Sequence, residues 1–138
     1  MTPDASPFLY AQATESLLAR KEEFALAITA ALYDARPDLV SRYGSAGREK
    51  CLQDMRHSLE HLAPAVALAK PVLFERYVSW LVDLLRPRGI PSGHVRASIE
   101  AMAAVLAARM APDEHAAVSE SLRAALAVLP ALHSGDRT

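Results

Sequence analysis

The chain has 138 residues, 51% of them hydrophobic and 22% charged, with a formal net charge of −1. That length suits one domain over residues 1–138, able to bury about two-thirds of its unfolded surface. The charge gives no electrostatic case for nucleic acid or an anionic membrane. One cysteine excludes an internal disulfide and a cysteine-rich zinc site, and no metal site is expected.

The N-terminus lacks the regions of a signal peptide and no apolar run is long enough to span a bilayer, so the cytoplasm is the expected compartment. Residues 1–6 and 134–138 are expected to be disordered. Ser6-Pro7 reads as N-cap and first residue of a helix carrying Phe8, Ala11, Leu17 and Leu18 inward. With no clear break, Lys21 to Arg36 continues as helix, with Phe24, Ile28, Ala31 and Leu32 at core spacing until Pro37 ends it. Arg42-Tyr43-Gly44-Ser45 reads as a turn, with Tyr43 either packing beneath a surface hydroxyl or touching a ligand. A central helix follows from Ser45 to at least His61, and Pro64 predicts a kink or a fresh start toward Ala69.

Beyond Lys70-Pro71, Leu73, Tyr77, Trp80, Leu81, Leu84 and Leu85 form the apolar stripe of an amphipathic helix that stops at Pro87 and Gly89. Ser92 is read as the N-cap of the next helix, whose inner face is Val95, Ile99, Met102 and Leu106. Ala111-Pro112-Asp113 breaks it, and the last helix turns Val118, Leu122, Ala125 and Leu129 inward before Pro130. The sum is an all-α domain of six or seven helices.

The stretch Gly47 to Leu62, GREKCLQDMRHSLEHL, concentrates the chemistry. Residues three and four apart share a helix face, so Cys51, Asp54, Met55, Ser58 and either His57 or His61 can line one groove. A flat, acidic, nitrogen-rich ligand suits that set: the thiol for a thioether, Asp54 as acceptor for ring N–H groups, Arg48 and Lys50 for carboxylates. The other reading makes Cys51 a small buried hydrophobe and the mixed charges a solvated face.

Gly-Arg-Glu-Lys-Cys-Leu-Gln-Asp, Gly47 to Asp54, resembles the chromophore-bearing segment of phycobiliproteins, the phycocyanin and allophycocyanin family. In that pattern a small basic run and Lys or Ala precede the cysteine, and a small or apolar residue, Arg and then Asp follow it. Gln53 stands where the family has the arginine that helps hold a propionate. The likeness extends through Leu59, Ala65 and Val66, through Val72-Leu73 and Arg76 in a register shifted by one residue, and through Gly89-Ile90-Pro91. Upstream, Ala31-Leu32-Tyr33 with Arg36-Pro37 is similar to the end of the family's B helix.

This resemblance implies a globin-like fold around a slot for a tetrapyrrole, here without the family's two N-terminal subunit-pairing helices, as in soluble bilin-associated globins. It implies a bilin, biliverdin or phycocyanobilin, with Cys51 as thioether donor and Asp54 facing the pyrrole N–H groups. Lys50 and Arg48 would pair with propionates, His57 and Ser58 would contact the rings, and Tyr77 and Trp80 would pack nearby. The implied role is a light sensor or bilin carrier, with a homodimer as the expected protein partner and neither nucleic acid nor membrane.

A ligand-free globin-like interaction module is the alternative, with haem third. The helix Leu73 to Arg86 has no histidine for an axial bond, only Tyr77, and His57 and His61 lie on the central helix. The remaining histidines, His94, His115 and His133, read as exposed or simply hydrogen-bonded. No enzyme is expected. Cys51 and His57 lie about 9 Å apart along a helix, and there is no glycine-rich phosphate loop, HExxH or GxSxG motif.

Overall fold

Six helices account for the described part of the chain, residues 7–129 of a computed structural model. They are α1 (Pro7–Ala19), α2 (Lys21–Ala35), α3 (Asp38–Ala67), α4 (Pro71–Leu85), α5 (Ser92–Arg109) and α6 (Pro112–Val128), with a 3-10 turn at Arg86–Arg88. No strand occurs among the described residues, as the all-α reading expected. Pro7, Pro71 and Pro112 each occupy a first helical position, where the missing N–H costs nothing and the fixed φ favours entry. The expectations for Ser6, Pro130, His133 and the two tails lie outside the described residues.

Packing follows the apolar stripes. α1 lies on α3 and α6, α2 on α3 and α5, and α4 chiefly on α6. Phe24, Ile28, Leu59, Leu62, Phe74, Val78, Ile99, Leu106, Val118 and Leu122 form the closed centre. Four residues expected inside are instead exposed: Ala11, Phe8 at 72%, Leu18 at 51% and Trp80 at 54%. The buried stripe is therefore narrower than the apolar composition of these helices suggests.

Four local features depart from the sequence reading. Arg20 (φ −108°, ψ 21°) breaks the expected continuous helix, and its guanidinium closes the corner by bonding Glu23 and the Arg109 carbonyl and lying 4.6 Å above the Phe24 ring. α3 begins at Asp38, earlier than Ser45, but Gly44 (φ 70°, ψ −169°) leaves helical geometry and separates a short lead-in, Asp38 to Tyr43, from the long helix. The lead-in folds so tightly that a Cβ on Gly47 would stand 2.2 Å from the Tyr43 Cβ, which only glycine permits.

At the other end α3 runs through Pro64 to Ala67 with no fresh start. Lys70 N–H then bonds the Ala65 carbonyl and Ala69 N–H the Val66 carbonyl, with Ala69 left-handed at φ 53°. That is a Schellman cap built on alanine instead of glycine. Ser92 is the first residue of α5 and Pro91 holds the cap position. No described helix is long and apolar enough to cross a membrane.

Candidate functional site

One face of α3 forms the floor of a cleft. Tyr43, Gly47, Lys50, Cys51, Asp54, Met55 and Ser58 all line it, at intervals of three and four apart from adjacent pairs. α2 supplies Leu32 and Tyr33, the α3 lead-in supplies Leu39, and α4 supplies Leu81 and Leu85. The far wall is Ile90 with His94, Val95, Ser98 and Ile99 from α5. The enclosed cavity measures about 160 Å³ and reaches about 800 Å³ with its open mouth included. A dry cavity near 150 Å³ takes one benzene-sized ring, so a larger flat ligand would bury one end and lay the rest in the mouth.

Cys51 is partly buried, and burial, reinforced by the Asp54 carboxylate, pushes its thiol up to about 11. Thr29 beside it and Arg48 pull the other way. The Thr29 hydroxyl is buried and satisfies no strict hydrogen-bond geometry, so its hold on the thiol is a weak one. Asp54 is likewise partly buried, and loss of solvation raises its pKa against the opposing fields of Lys50, His57 and Arg88. It makes no hydrogen bond or ion pair among the described residues. A carboxylate in that setting is a ready acceptor for N–H donors brought by a ligand.

At one end of the floor, Ser58 and the Tyr77 hydroxyl share a buried 2.9 Å hydrogen bond. Tyr77 therefore stands behind Ser58 and off the cleft lining, with His61 stacked on its outer side at 4.2 Å. At the other end the Tyr43 hydroxyl meets His94 Nδ1 at 2.9 Å, and the two rings pack edge to face at 5.7 Å. Burial, with Arg36 and Arg42 nearby, lowers the His94 pKa and keeps the imidazole neutral.

The structure thus brings together Lys50, Cys51, Asp54, Met55 and Ser58 of the sequence-predicted residues, with Tyr43, and leaves Arg48, Gln53, His57, His61, Tyr77 and Trp80 off the lining. Gln53 points to solvent. His57 is exposed, with Nδ1 3.5 Å from Glu60 Oε1, and reaches Asp54 only through its field. Trp80 tilts over the outside of Tyr77 at 5.9 Å. Arg48 covers the Tyr33 ring at 5.0 Å, beside the cleft and not in it. Helix phase accounts for Gln53, which a 100° step per residue carries about 200° round from Cys51.

Sequence reasoning missed the wall roles of His94, Tyr33 and Leu39 and the charge that Arg88 brings to Asp54. The Tyr43 hydroxyl is bonded inside the cleft, away from the surface expected for it, and His94 is a wall residue. Arg88, in the turn after α4, acts on Asp54 through its charge and pulls the carboxyl's pKa down against burial. Nothing in α4 offers iron an axial histidine, and the Tyr77 hydroxyl is taken by Ser58.

The phycobilisome protein family matches residues 9–129. The chain belongs to that family, whose members are globin-like bilin-binding proteins, and its helical architecture is of that kind. No curated protein matches the sequence at a significant level.

Proposed function

We propose that this protein holds a linear tetrapyrrole, biliverdin or phycocyanobilin, in the α2–α3–α4–α5 cleft and serves as a noncatalytic bilin carrier or light sensor. The observation that carries this reading is that Cys51 and the unpartnered Asp54, one helical turn apart, face the same apolar cleft. Bound there, a bilin supplies a conjugated system that absorbs visible light.

Asp54 accepts hydrogen bonds from pyrrole N–H groups and, by its charge, favours the protonated chromophore. Lys50 at the lining, with Arg88 and Arg48 beside it, neutralises propionates at the mouth. Leu32, Leu81, Leu85 and Val95 exclude water and press on ring faces. Together they select an extended ligand over a coiled one.

Cys51 can attach the ligand only as thiolate, by adding its sulfur to an exocyclic carbon–carbon double bond while the neighbouring carbon takes a proton; nothing leaves. With the thiol near 11, about one molecule in ten thousand is thiolate at neutral pH. Noncovalent binding therefore comes first, and attachment is slow without an enzyme that delivers the bilin. Pairing as a homodimer and a cytoplasmic location belong to the same reading.

The test is an absorbance titration of the purified protein with each bilin, followed by zinc-stained denaturing gels. A saturable, sharpened red band is expected. Asp54→Asn should weaken binding about tenfold or more, since hydrogen bonds to a charged group contribute about 1.5–3 kcal/mol, while Cys51→Ala should leave the noncovalent band in place. No saturable change with either bilin would overturn the proposal and favour a ligand-free interaction module.

A further inference from the structure

The cleft has a second polar end. Tyr43 stands before the Gly44 break and packs against Gly47, one turn before Cys51 on the long helix, and its hydroxyl pairs with His94 Nδ1 at 2.9 Å. Tyr43 makes no other hydrogen bond among the described residues, so donating to Nδ1 is the arrangement that uses its hydrogen. The remaining ring nitrogen of His94, Nε2, then bears the imidazole hydrogen and has no protein acceptor among the described residues.

The pair is held firmly. Arg42 lies 5.4 Å above the Tyr43 ring and donates to the Gly89 carbonyl at 3.1 Å, tying the lead-in of α3 to the corner before α5. Gly47 leaves the space that lets Tyr43 sit there. The charged groups that act on His94 are Arg36, Arg42 and Asp38; the two guanidiniums oppose a second proton and outweigh the carboxylate.

We propose that His94, oriented by Tyr43, is a specificity-determining residue that donates Nε2–H to a terminal-ring carbonyl of the ligand. This rests on the bilin reading above and deepens it. Asp54 is an acceptor in mid-cleft and His94 a donor at its end, so together they demand a ligand with N–H groups along its middle and a carbonyl at its tip. A linear tetrapyrrole ends in two lactam carbonyls. A closed porphyrin has the same propionates and pyrrole nitrogens but no terminal carbonyl, so this contact separates the two.

The experiment compares biliverdin and metal-free protoporphyrin binding to wild type, His94→Leu and His94→Gln, with thermal melts to show that each variant is folded. Nitrogen-15 NMR of the ligand-free protein reads the tautomer. The expected results are a bare Nδ1 with a protonated Nε2, about tenfold weaker biliverdin binding in His94→Leu, and near wild-type binding in His94→Gln, whose amide N–H replaces Nε2–H. Protoporphyrin binding, at whatever strength, should not change among the three proteins. A protonated Nδ1, unchanged biliverdin affinity in His94→Leu, or equal losses for both ligands would overturn the inference while leaving the bilin site standing. Wild type that binds no biliverdin would overturn both readings.

Discussion

The two halves of α3 do different work. From Leu59 to Val66 its inner face is aliphatic and sealed, packed with Leu17, Phe24, Phe74 and Val118 into the main core. From Gly47 to Ser58 the same helix carries a lysine, a thiol, a carboxylate and a hydroxyl, backed by a small separate cluster of Leu32, Tyr33 and Leu39. Cys51 packs against both clusters and marks the boundary. Folding energy is concentrated in one half, so the other can hold partly buried polar groups that a folding core would not accept.

The largest test of this division is Phe74→Ala. Phe74 is fully buried, and removing a buried phenylalanine costs about 3–5 kcal/mol. Urea unfolding should show that loss, while bilin affinity measured on the folded fraction stays within about twofold. A matching collapse of affinity would mean that the two halves are mechanically one.

A smaller effect belongs to Cys51. Burial raises its pKa to about 11 in the folded protein, from about 9 for a solvated thiol, so the unfolded chain ionises first as pH rises. The contribution is whole below pH 9 and is lost between about 9 and 11, on the order of 2 kcal/mol. Denaturation midpoints from pH 8 to 11 should therefore fall more steeply for wild type than for Cys51→Ala. Parallel profiles would place the thiol in water and move the boundary between the halves.

Legibility in the sequence followed the same divide. Helix cores with clean periodicity, such as Val95, Ile99, Met102 and Leu106, were readable because one spacing rule decides them. Cys51, Asp54, Met55 and Ser58 were readable as one face for the same reason, while Lys50 was named only as a cation next to the cysteine. His94 was not, because its role comes from a hydrogen bond to Tyr43 across 51 residues of chain, and no local pattern encodes that meeting. Gln53 and Trp80 were drawn into the site by their place in the resemblance and His57 by helical spacing as well, and all three lie off the lining, exposed to solvent. Arg88 carries its field to Asp54 from a turn whose direction depends on Gly89 at φ 81°.

The most direct test of the central claim is a methyl chemical-shift map of the protein titrated with biliverdin. The account predicts that methyl groups of Leu32, Leu39, Leu81, Leu85 and Ile90, which line the cleft, shift and saturate together, while those of Leu17, Leu62, Val118 and Leu122 in the main core stay in place. Shifts confined to the exposed face around Trp80, or none at the cleft methyls while the bilin spectrum changes, would contradict it.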